Sequence, residues 1–231
     1  MRYWYLSTLS ILSVVQKISS TKQLGPSRTF TELQLIRAIL ILGERKVLGR
    51  TLLSRLLKIG SGAIRTLLND LGIHNIIIIE KTGCRLTEIG QSIYSDISEK
   101  ILLIDQIDAG KLSIANYDAA VIVKKSSHHI HLGIEQRDAA IRIGAKGATT
   151  LIYEDSKFVI PKGSTDCAKD FPSNIWNIFE STFSLLNGDV IIVSSADEKE
   201  DAIYGVLASA LTLIENNWQR IRCVWETLST R

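Results

Sequence analysis

The sequence predicts an α+β protein built from two modules. Helical apolar periodicity followed by a short two-strand pattern fills the first half of the chain, and strands alternate with helices in the second half. Basic residues are concentrated at the front: residues 22–86 hold eleven Lys or Arg against four acids, a net charge of +7. Residues 111–231 hold thirteen Lys or Arg and fifteen Asp or Glu, a net charge of −2. This asymmetry predicts two modules with different partners.

Length and composition set the domain organisation. The chain has 231 residues, of which 45% are hydrophobic and 22% are charged. These values are ordinary for a globular protein and exclude a chain that is disordered as a whole. Breaks at Gly-Pro-Ser and Asp-Ala-Gly predict an N-terminal extension over 1–24, a first domain over 25–110 and a second domain over 111–231. Residues 3–18 predict an extra helix rather than a signal peptide, because hydroxyl side chains interrupt the apolar run.

The cysteine spacing and the hydropathy of the sequence indicate in which cellular compartment the protein is expected. Cys84, Cys167 and Cys223 are widely spaced and form no CxxC pair, so neither a disulfide framework nor a structural zinc site is indicated. A reducing, cytoplasmic compartment fits this cysteine usage. No run approaches the ~18 apolar residues of a membrane span, so no membrane partner is expected. No cofactor is expected either.

Three helices are predicted at the start of the first domain. Residues 31–34 have the form of a capping box, and apolar residues at helical spacing extend the helix over residues 31–42. A short second helix follows Gly49. A third runs over residues 61–71, with Ser61 as its N-cap.

A two-strand ribbon and a long helix complete this domain. The β-branched run at 76–79 and the return segment at 84–86 predict two strands around a basic glycine turn. Isoleucines at helical steps then predict a helix over 87–107, before the domain boundary near Gly110. Three helices followed by such a ribbon is the order of a winged helix-turn-helix, which binds double-stranded DNA.

The third helix carries the predicted DNA-reading surface. Its apolar residues share one face, and Arg65, Thr66 and Asn69 lie on the other, where they are expected to read base edges. Ser61 and Gly62 at the helix start allow close approach to a phosphate through backbone N–H groups. Basic side chains beside the helix and on the ribbon are expected to meet the DNA backbone: Arg50, Arg55, Lys58, Lys81 and Arg85.

The sequence also resembles a known family, archaeal winged-helix transcriptional regulators that carry a C-terminal domain of unknown function. In the first domain the resemblance lies in residues 25–30, 49–50, 59–68 and 83–90. In the second it lies in residues 133–140, 144–151 and 188–192. It covers residues 25–215 and implies a transcription factor, with the ligand of the second domain left open.

The second domain is predicted to contain one mixed or antiparallel sheet packed by helices. The predicted strands are residues 119–123, 130–132, 148–153, 158–160 and 189–194. The predicted helices are residues 135–143, 173–186 and 198–214.

A small anionic ligand is a candidate partner of this domain. Gln136, Arg137 and Asp138 lie in the first turn of a predicted helix, where the helix dipole favours anions, and Arg137 suits a carboxylate or phosphate. With Lys146 they form the predicted binding site. The alternative is that Arg137 and Asp138 form a surface ion pair.

The histidine cluster and Cys167 are two further candidates for a chemical role. His128, His129 and His131 cluster closely enough to suggest a metal site, the alternative being exposed histidines on a loop or strand edge. Cys167 has acidic and basic neighbours, but no base is placed by the sequence, which favours an incidental thiol. No catalytic order of residues is evident, and no enzymatic activity is predicted.

The function predicted is a DNA-binding transcriptional regulator whose second domain senses a small ligand or mediates dimerisation. Paired half-sites favour a homodimer, with the helix at 87–107 or the one at 198–214 at its interface. One alternative is a small-metabolite enzyme in the second domain, with the winged helix as a protein-interaction module. Another is an architectural or RNA-binding adaptor.

Overall fold

A computed structural model of the chain describes residues 30–214, which divide in sequence into two compact units between Lys100 and Ile101. The predicted extension over 1–24 and the C-terminal residues after 214 lie outside the described residues. The boundary falls ten residues before the one predicted at Gly110. The reason is that residues 101–107 form a strand in the sheet of the second unit, not the end of a helix.

The first unit has the predicted order of elements. They are α1 (Glu32–Arg45), α2 (Arg50–Leu57), α3 (Ser61–Ile73), β1 (Ile77–Glu80), β2 (Gly83–Leu86) and α4 (Glu88–Lys100). The three predicted helices and the two-strand ribbon are therefore confirmed as elements. The helix predicted over 87–107 is wrong in its second part, because it ends at Lys100.

The capping box at the start of α1 is confirmed. The Thr31 hydroxyl accepts a hydrogen bond from the Gln34 backbone N–H at 3.2 Å, and the Gln34 side chain accepts one from the Thr31 N–H at 2.8 Å. The two bonds satisfy donors that the first helical turn leaves unpaired. All residues of α1 from Leu35 to Gly43 are buried, so this helix is the centre of the unit.

A tight turn joins α2 to α3. Lys58 ends α2 in the left-handed conformation, with φ 52° and ψ 43°, and the Ser54 hydroxyl donates to the Ile59 carbonyl at 2.6 Å. Gly60 is the N-cap of α3, and no side chain caps the helix. The prediction that Ser61 is the N-cap is wrong by one position, since Ser61 is already the first helical residue.

The start of α4 is fixed against the start of the ribbon. Thr87 donates its hydroxyl proton to the Asn75 carbonyl at 2.6 Å and accepts a hydrogen bond from the Gly90 N–H at 3.0 Å. A Cβ at position 90 would lie 2.1 Å from the Ile76 carbonyl oxygen, which explains the glycine there. The same contact holds α4 close to the first strand.

The ribbon is an antiparallel hairpin with Ile77 opposite Leu86 and Glu80 opposite Gly83. On its other side, β2 exchanges two backbone hydrogen bonds with the chain before α2, from the Leu48 N–H to the Cys84 carbonyl at 3.0 Å and in reverse at 2.8 Å. The hairpin is thereby tied to the segment that precedes α2.

The second unit contains five strands, four α-helices and two short 3-10 turns in its described part. The strands are β3 (Ile101–Ile107), β4 (Tyr117–Val123), β5 (Gly147–Glu154), β6 (Lys157–Val159) and β7 (Val190–Ala196). The helices are α5 (Ile134–Arg142), α6 (Cys167–Asp170), α7 (Ile175–Thr182) and α8 (Lys199–Ile214). The 3-10 turns are Gly110–Leu112 and Ser127–His129.

The strands form one sheet in the order β3-β4-β7-β5-β6, and every neighbouring pair is antiparallel. Helices α5 and α8 pack on one face of this sheet. The other face carries an apolar core completed by α6 and α7, in which the Phe158 ring contacts the rings of Trp176 and Phe179. The prediction of an α+β domain with one mixed or antiparallel sheet is confirmed, and the sheet is antiparallel.

Two predicted elements of this unit require correction. Residues 130–132 form no strand, because the chain leaves the 3-10 turn at His129 and enters α5 directly. The helix predicted over 173–186 spans only Ile175–Thr182, and the chain after it is extended. The small residues of α8 pack inside the unit: a Cβ at Gly205 would meet the Ser194 hydroxyl at 2.3 Å. That face of α8 is therefore not available as an interface.

Buried carboxylates hold two loops against the sheet. Asp189 is fully buried and accepts hydrogen bonds from the Lys125 N–H, the Leu186 N–H and the Lys124 ammonium, the last at 2.8 Å. Asp118 accepts from the hydroxyls of Ser113 and Ser195 at 2.9 and 2.5 Å. Within residues 30–214, no helix is both long and apolar enough to cross a membrane.

Candidate nucleic-acid interface

Helix α3 is divided cleanly into a buried face and an exposed stripe. Ile64, Leu67, Leu68 and Leu71 are buried. On the opposite side the residues Ser61, Gly62, Arg65 and Asn69 are exposed, at a spacing of three to four residues. The predicted reader Thr66 is half-buried and donates its hydroxyl proton to the Gly62 carbonyl at 3.2 Å. Its hydroxyl is thus engaged with its own helix, and of the three residues predicted to read bases only Arg65 and Asn69 are exposed.

The N-terminus of α3 is open to approach. Gly60, Ser61 and Gly62 are exposed, and a Cβ at Gly60 or Gly62 would meet nothing within 4 Å. The same holds for Gly49 at the start of α2. Because no side chain caps α3, its first backbone N–H groups point outward with the positive end of the helix dipole. This arrangement suits an anionic oxygen such as that of a phosphate.

Exposed cations flank this helix. Arg50 is the first residue of α2, Arg55 lies in its last turn, and Lys58 follows it. Lys81 is exposed in the turn of the hairpin. Burial raises the pKa of the Cys84 thiol on β2, and the positive charge of Arg50 offsets part of this effect.

Arg85, another of the predicted cations, forms an ion pair within the hairpin. Its Nε and one terminal nitrogen contact the same carboxylate oxygen of Glu80, at 2.9 and 2.8 Å. Both side chains are about half exposed. Glu80 is not among the residues predicted from the sequence. Arg85 lies opposite Ile78 in the hairpin, and Glu80 is two residues further along β1, so the two side chains meet diagonally across the strands.

The hairpin also exposes apolar side chains. Ile79 is 59% exposed, and Ile78 beside it and Ile73 at the end of α3 are exposed as well. The run of four isoleucines at 76–79 was used to predict a strand, but only Ile76 and Ile77 belong to the core. The surface of the hairpin is consequently mixed, with Lys81 at the turn and isoleucines along β1.

The four residues of the predicted anion site do not converge. Gln136 is 2% exposed and its amide donates to the Thr212 hydroxyl at 2.7 Å, inside the contact between α5 and α8. Arg137 pairs with Asp138 at 3.0 Å on the surface, as the alternative interpretation has it. Lys146 follows the other end of α5, and a hydrogen bond from its ammonium to Asp197 raises its pKa.

The histidines and cysteines within residues 30–214 form no group suited to a metal ion. His128 and His129 lie in a 3-10 turn with ring centroids 3.9 Å apart, and partial burial together with His128 lowers the pKa of His129. No group of three or more His, Cys, Asp or Glu suited to a metal ion occurs within the described part of the chain. Cys167 is fully buried, and burial raises the pKa of its thiol, which disfavours the thiolate.

Comparison with known proteins bears mainly on the second unit. Residues 114–213 match the family model described as "Domain of unknown function (DUF4443)". The resemblance stated for the second domain is confirmed to this extent. No curated protein matches the chain.

A solved structure extends the comparison beyond that domain. The chain is similar to the hypothetical protein PH0730 from Pyrococcus horikoshii OT3, with a TM-score of 0.64 and 26% sequence identity. The similarity covers 80% of this chain and 92% of that chain. This share is larger than the second unit alone, so the archaeal protein also resembles part of the first unit.

Proposed function

We propose that the chain is a cytosolic DNA-binding transcriptional regulator whose first unit is a winged helix-turn-helix. The observation that carries the proposal is the exposed stripe of Ser61, Gly62, Arg65 and Asn69 on a helix whose other face is core. A short turn joins this helix to α2, as in helix-turn-helix motifs. The hairpin after α3 takes the place of the wing.

In the proposed complex, the N-terminal half of α3 enters the major groove. The groove is about 12 Å wide and admits one helix. Arg65 suits bidentate hydrogen bonding to guanine, and Asn69 suits adenine. The open N-terminus at Gly60 lies at the end of the same stripe, where a helix entering the groove passes the phosphate backbone.

The cations around the helix supply affinity rather than sequence preference. Arg50, Arg55, Lys58 and Lys81 are exposed around the proposed reading helix. Each phosphate contact releases a counterion from DNA, which makes the affinity dependent on salt. The net charge of +7 over residues 22–86 supports duplex DNA as the partner.

For the second unit we propose dimerisation rather than ligand sensing. Gln136, Arg137 and Lys146 each bind a different side chain of the same unit. They are therefore not free to form the predicted anion site together. A regulator that reads paired half-sites requires two copies of its reading helix.

The proposed function is tested by measuring the affinity of the full chain for a fluorescently labelled DNA duplex. Fluorescence anisotropy reports the binding, and the measurement is repeated at increasing salt concentrations. With about four to six phosphate contacts we expect the logarithm of the association constant to fall with log salt at a slope of about −4 to −5. We expect weaker binding to single-stranded DNA and to duplex RNA of the same sequence. Preferential binding to RNA, or no binding to the duplex at about 50 mM salt, would contradict the proposal.

The ion pair on the wing gives a specific prediction. Glu80→Gln removes the carboxylate that neutralises Arg85 and repels the phosphate backbone. We expect duplex affinity to rise about 2- to 10-fold at about 100 mM salt and the salt slope to steepen by about one contact. Glu99→Gln, at an exposed position near the end of α4, is the control and is expected to have little effect. If the affinity of the Glu80→Gln variant for the duplex is unchanged, the hairpin does not contact DNA.

A further inference from the structure

The exposed stripe of α3 contains two side chains that can each recognise a base through two hydrogen bonds. Arg65 carries a planar guanidinium with several N–H donors, and Asn69 carries an amide with an acceptor oxygen and a donor nitrogen. Ser61 and Gly62, the other members of the stripe, have no such group. Thr66 beside the stripe donates its hydroxyl proton to the Gly62 carbonyl. Arg65 and Asn69 therefore determine which bases the stripe can distinguish.

Both side chains are available to a partner. Within residues 30–214, neither the Arg65 guanidinium nor the Asn69 amide forms an ion pair or a hydrogen bond with another group of the chain. By contrast, the guanidinium groups of Arg85 and Arg137 contact carboxylates at 2.8 and 3.0 Å. A ligand of α3 therefore does not have to displace an internal partner from Arg65 or Asn69.

The spacing of these two side chains limits how far apart their targets can lie. Arg65 and Asn69 are four residues apart, which corresponds to about 6 Å along the helix axis, and such residues are neighbours on the helix surface. Successive bases of a DNA strand are about 3.4 Å apart along the duplex. In a major groove the two side chains therefore reach base pairs that are at most about two steps apart.

We propose that the DNA bound by α3 contains a G·C pair and an A·T pair within about three consecutive base pairs, and that Arg65 binds the guanine and Asn69 the adenine. Guanine presents two acceptors in the major groove, N7 and O6, to which the Arg65 guanidinium donates. Adenine presents an acceptor, N7, and a donor, the N6 amino group, which pair with the Asn69 amide. This assignment depends on the proposed function, because it requires α3 to lie in a major groove.

The chemistry of Asn69 selects the major groove over the minor groove. In the minor groove, A·T and T·A pairs both present only acceptors, so the Asn69 amide oxygen would find no donor on either. In the major groove the four base pairs present four different patterns. An exposed asparagine beside an exposed arginine can therefore use both of its polar atoms only on the major-groove side of an A·T pair.

The start of the stripe allows the close approach that a short asparagine side chain needs. Ser61 and Gly62 are exposed and have small side chains or none. A Cβ at Gly62 would meet no atom of the chain within 4 Å. The surface before Arg65 is thus low and open, and base edges can come within reach of Arg65 and Asn69 together.

Replacement of single base pairs tests the assignment. The probe is the duplex that the full parent chain enriches most strongly from a random pool, and each of its base pairs is replaced in turn. In competition anisotropy, Arg65→Ala should lose discrimination at the G·C pair alone and Asn69→Ala at the A·T pair alone, each by about 5- to 100-fold. Both variants should melt at the temperature of the parent, because the two side chains are exposed.

Conservative variants separate base recognition from a general effect on α3. Arg65→Lys should keep the preference for guanine and Asn69→Gln the preference for adenine, because lysine and glutamine offer these bases the same kinds of group. Arg55→Ala removes an exposed cation of α2, outside the stripe, and is the matched control. It should weaken binding to all of the duplexes by a similar factor.

The outcomes distinguish this assignment from the proposed function. A parent duplex that lacks the two base pairs at this spacing, or a variant that loses discrimination at another base pair, would overturn the assignment and leave DNA binding in place. Equal weakening on every duplex by Arg65→Ala and Asn69→Ala would also overturn it, since both side chains would then contact the DNA backbone. If the parent chain enriches no duplex, the proposed function and the assignment are both wrong.

Discussion

Replacing Arg65 and Asn69 together by alanine is expected to remove sequence preference in DNA binding while the fold is kept. Both side chains are exposed on α3, and their loss leaves the buried face of that helix intact. Each bidentate base contact is worth about 1–3 kcal/mol of discrimination. The preference for a specific duplex over a scrambled one should therefore fall about 30-fold or more, as measured by competition anisotropy.

The residual binding of this double variant is informative. Binding to the scrambled duplex should weaken far less, because Arg50, Arg55 and Lys81, the residues proposed to contact phosphates, are unchanged. Lys157→Ala removes one positive charge from an exposed position of the second unit and serves as the control for net charge. If the double variant still prefers the same duplex, α3 is not the reading helix.

The largest expected effect on stability comes from Asp189. Its fully buried carboxylate accepts two backbone N–H groups and the Lys124 ammonium. Asp189→Ala leaves these donors without an acceptor in a site with little access to water, which costs about 3–5 kcal/mol. We expect the midpoint of urea denaturation, followed by circular dichroism, to fall accordingly.

Asp197→Ala is the matched control for this experiment. Asp197 also pairs with a lysine, Lys146 at 2.9 Å, but both side chains are more than half exposed. An exposed pair contributes about 0–1 kcal/mol, so the control should resemble the parent. Equal stability of the two variants would mean that the Asp189 cluster does not hold its loops in place.

The first unit was predictable because its local signals agree. The capping box at Thr31, the breaks at Gly49 and Gly60 and the apolar spacing of α3 each mark an element that the structure contains. Tertiary packing does not override propensity in these helices. The exposure of Arg65 and Asn69 follows from the same spacing.

The second unit was harder to predict where apolar runs are continuous. Residues 101–104 continue the helical isoleucine spacing of α4, yet they form β3, because a run of four apolar residues fits a strand of a covered sheet equally well. The boundary between the units was misplaced for the same reason. Pairings between distant positions, such as Asp189 with Lys124, leave no local pattern at all.

In the candidate site, too, features set by local sequence could be predicted and features set by distant contacts could not. Exposure on a helix follows from periodicity, so the stripe on α3 could be listed in advance. The Glu80–Arg85 pair depends on strand register, and the burial of Gln136 depends on α8, which lies more than 60 residues later in the chain. These contacts decide which predicted residues remain available to a partner, and only the folded unit supplies them.

Selection of binding sites from a pool of random duplex DNA tests the central claim most directly. The full chain should enrich one defined motif over successive rounds, and the Arg65→Ala, Asn69→Ala double variant should fail to enrich it under the same conditions. Absence of any enriched motif, or enrichment of the same motif by the double variant, would contradict a winged helix that reads DNA through α3.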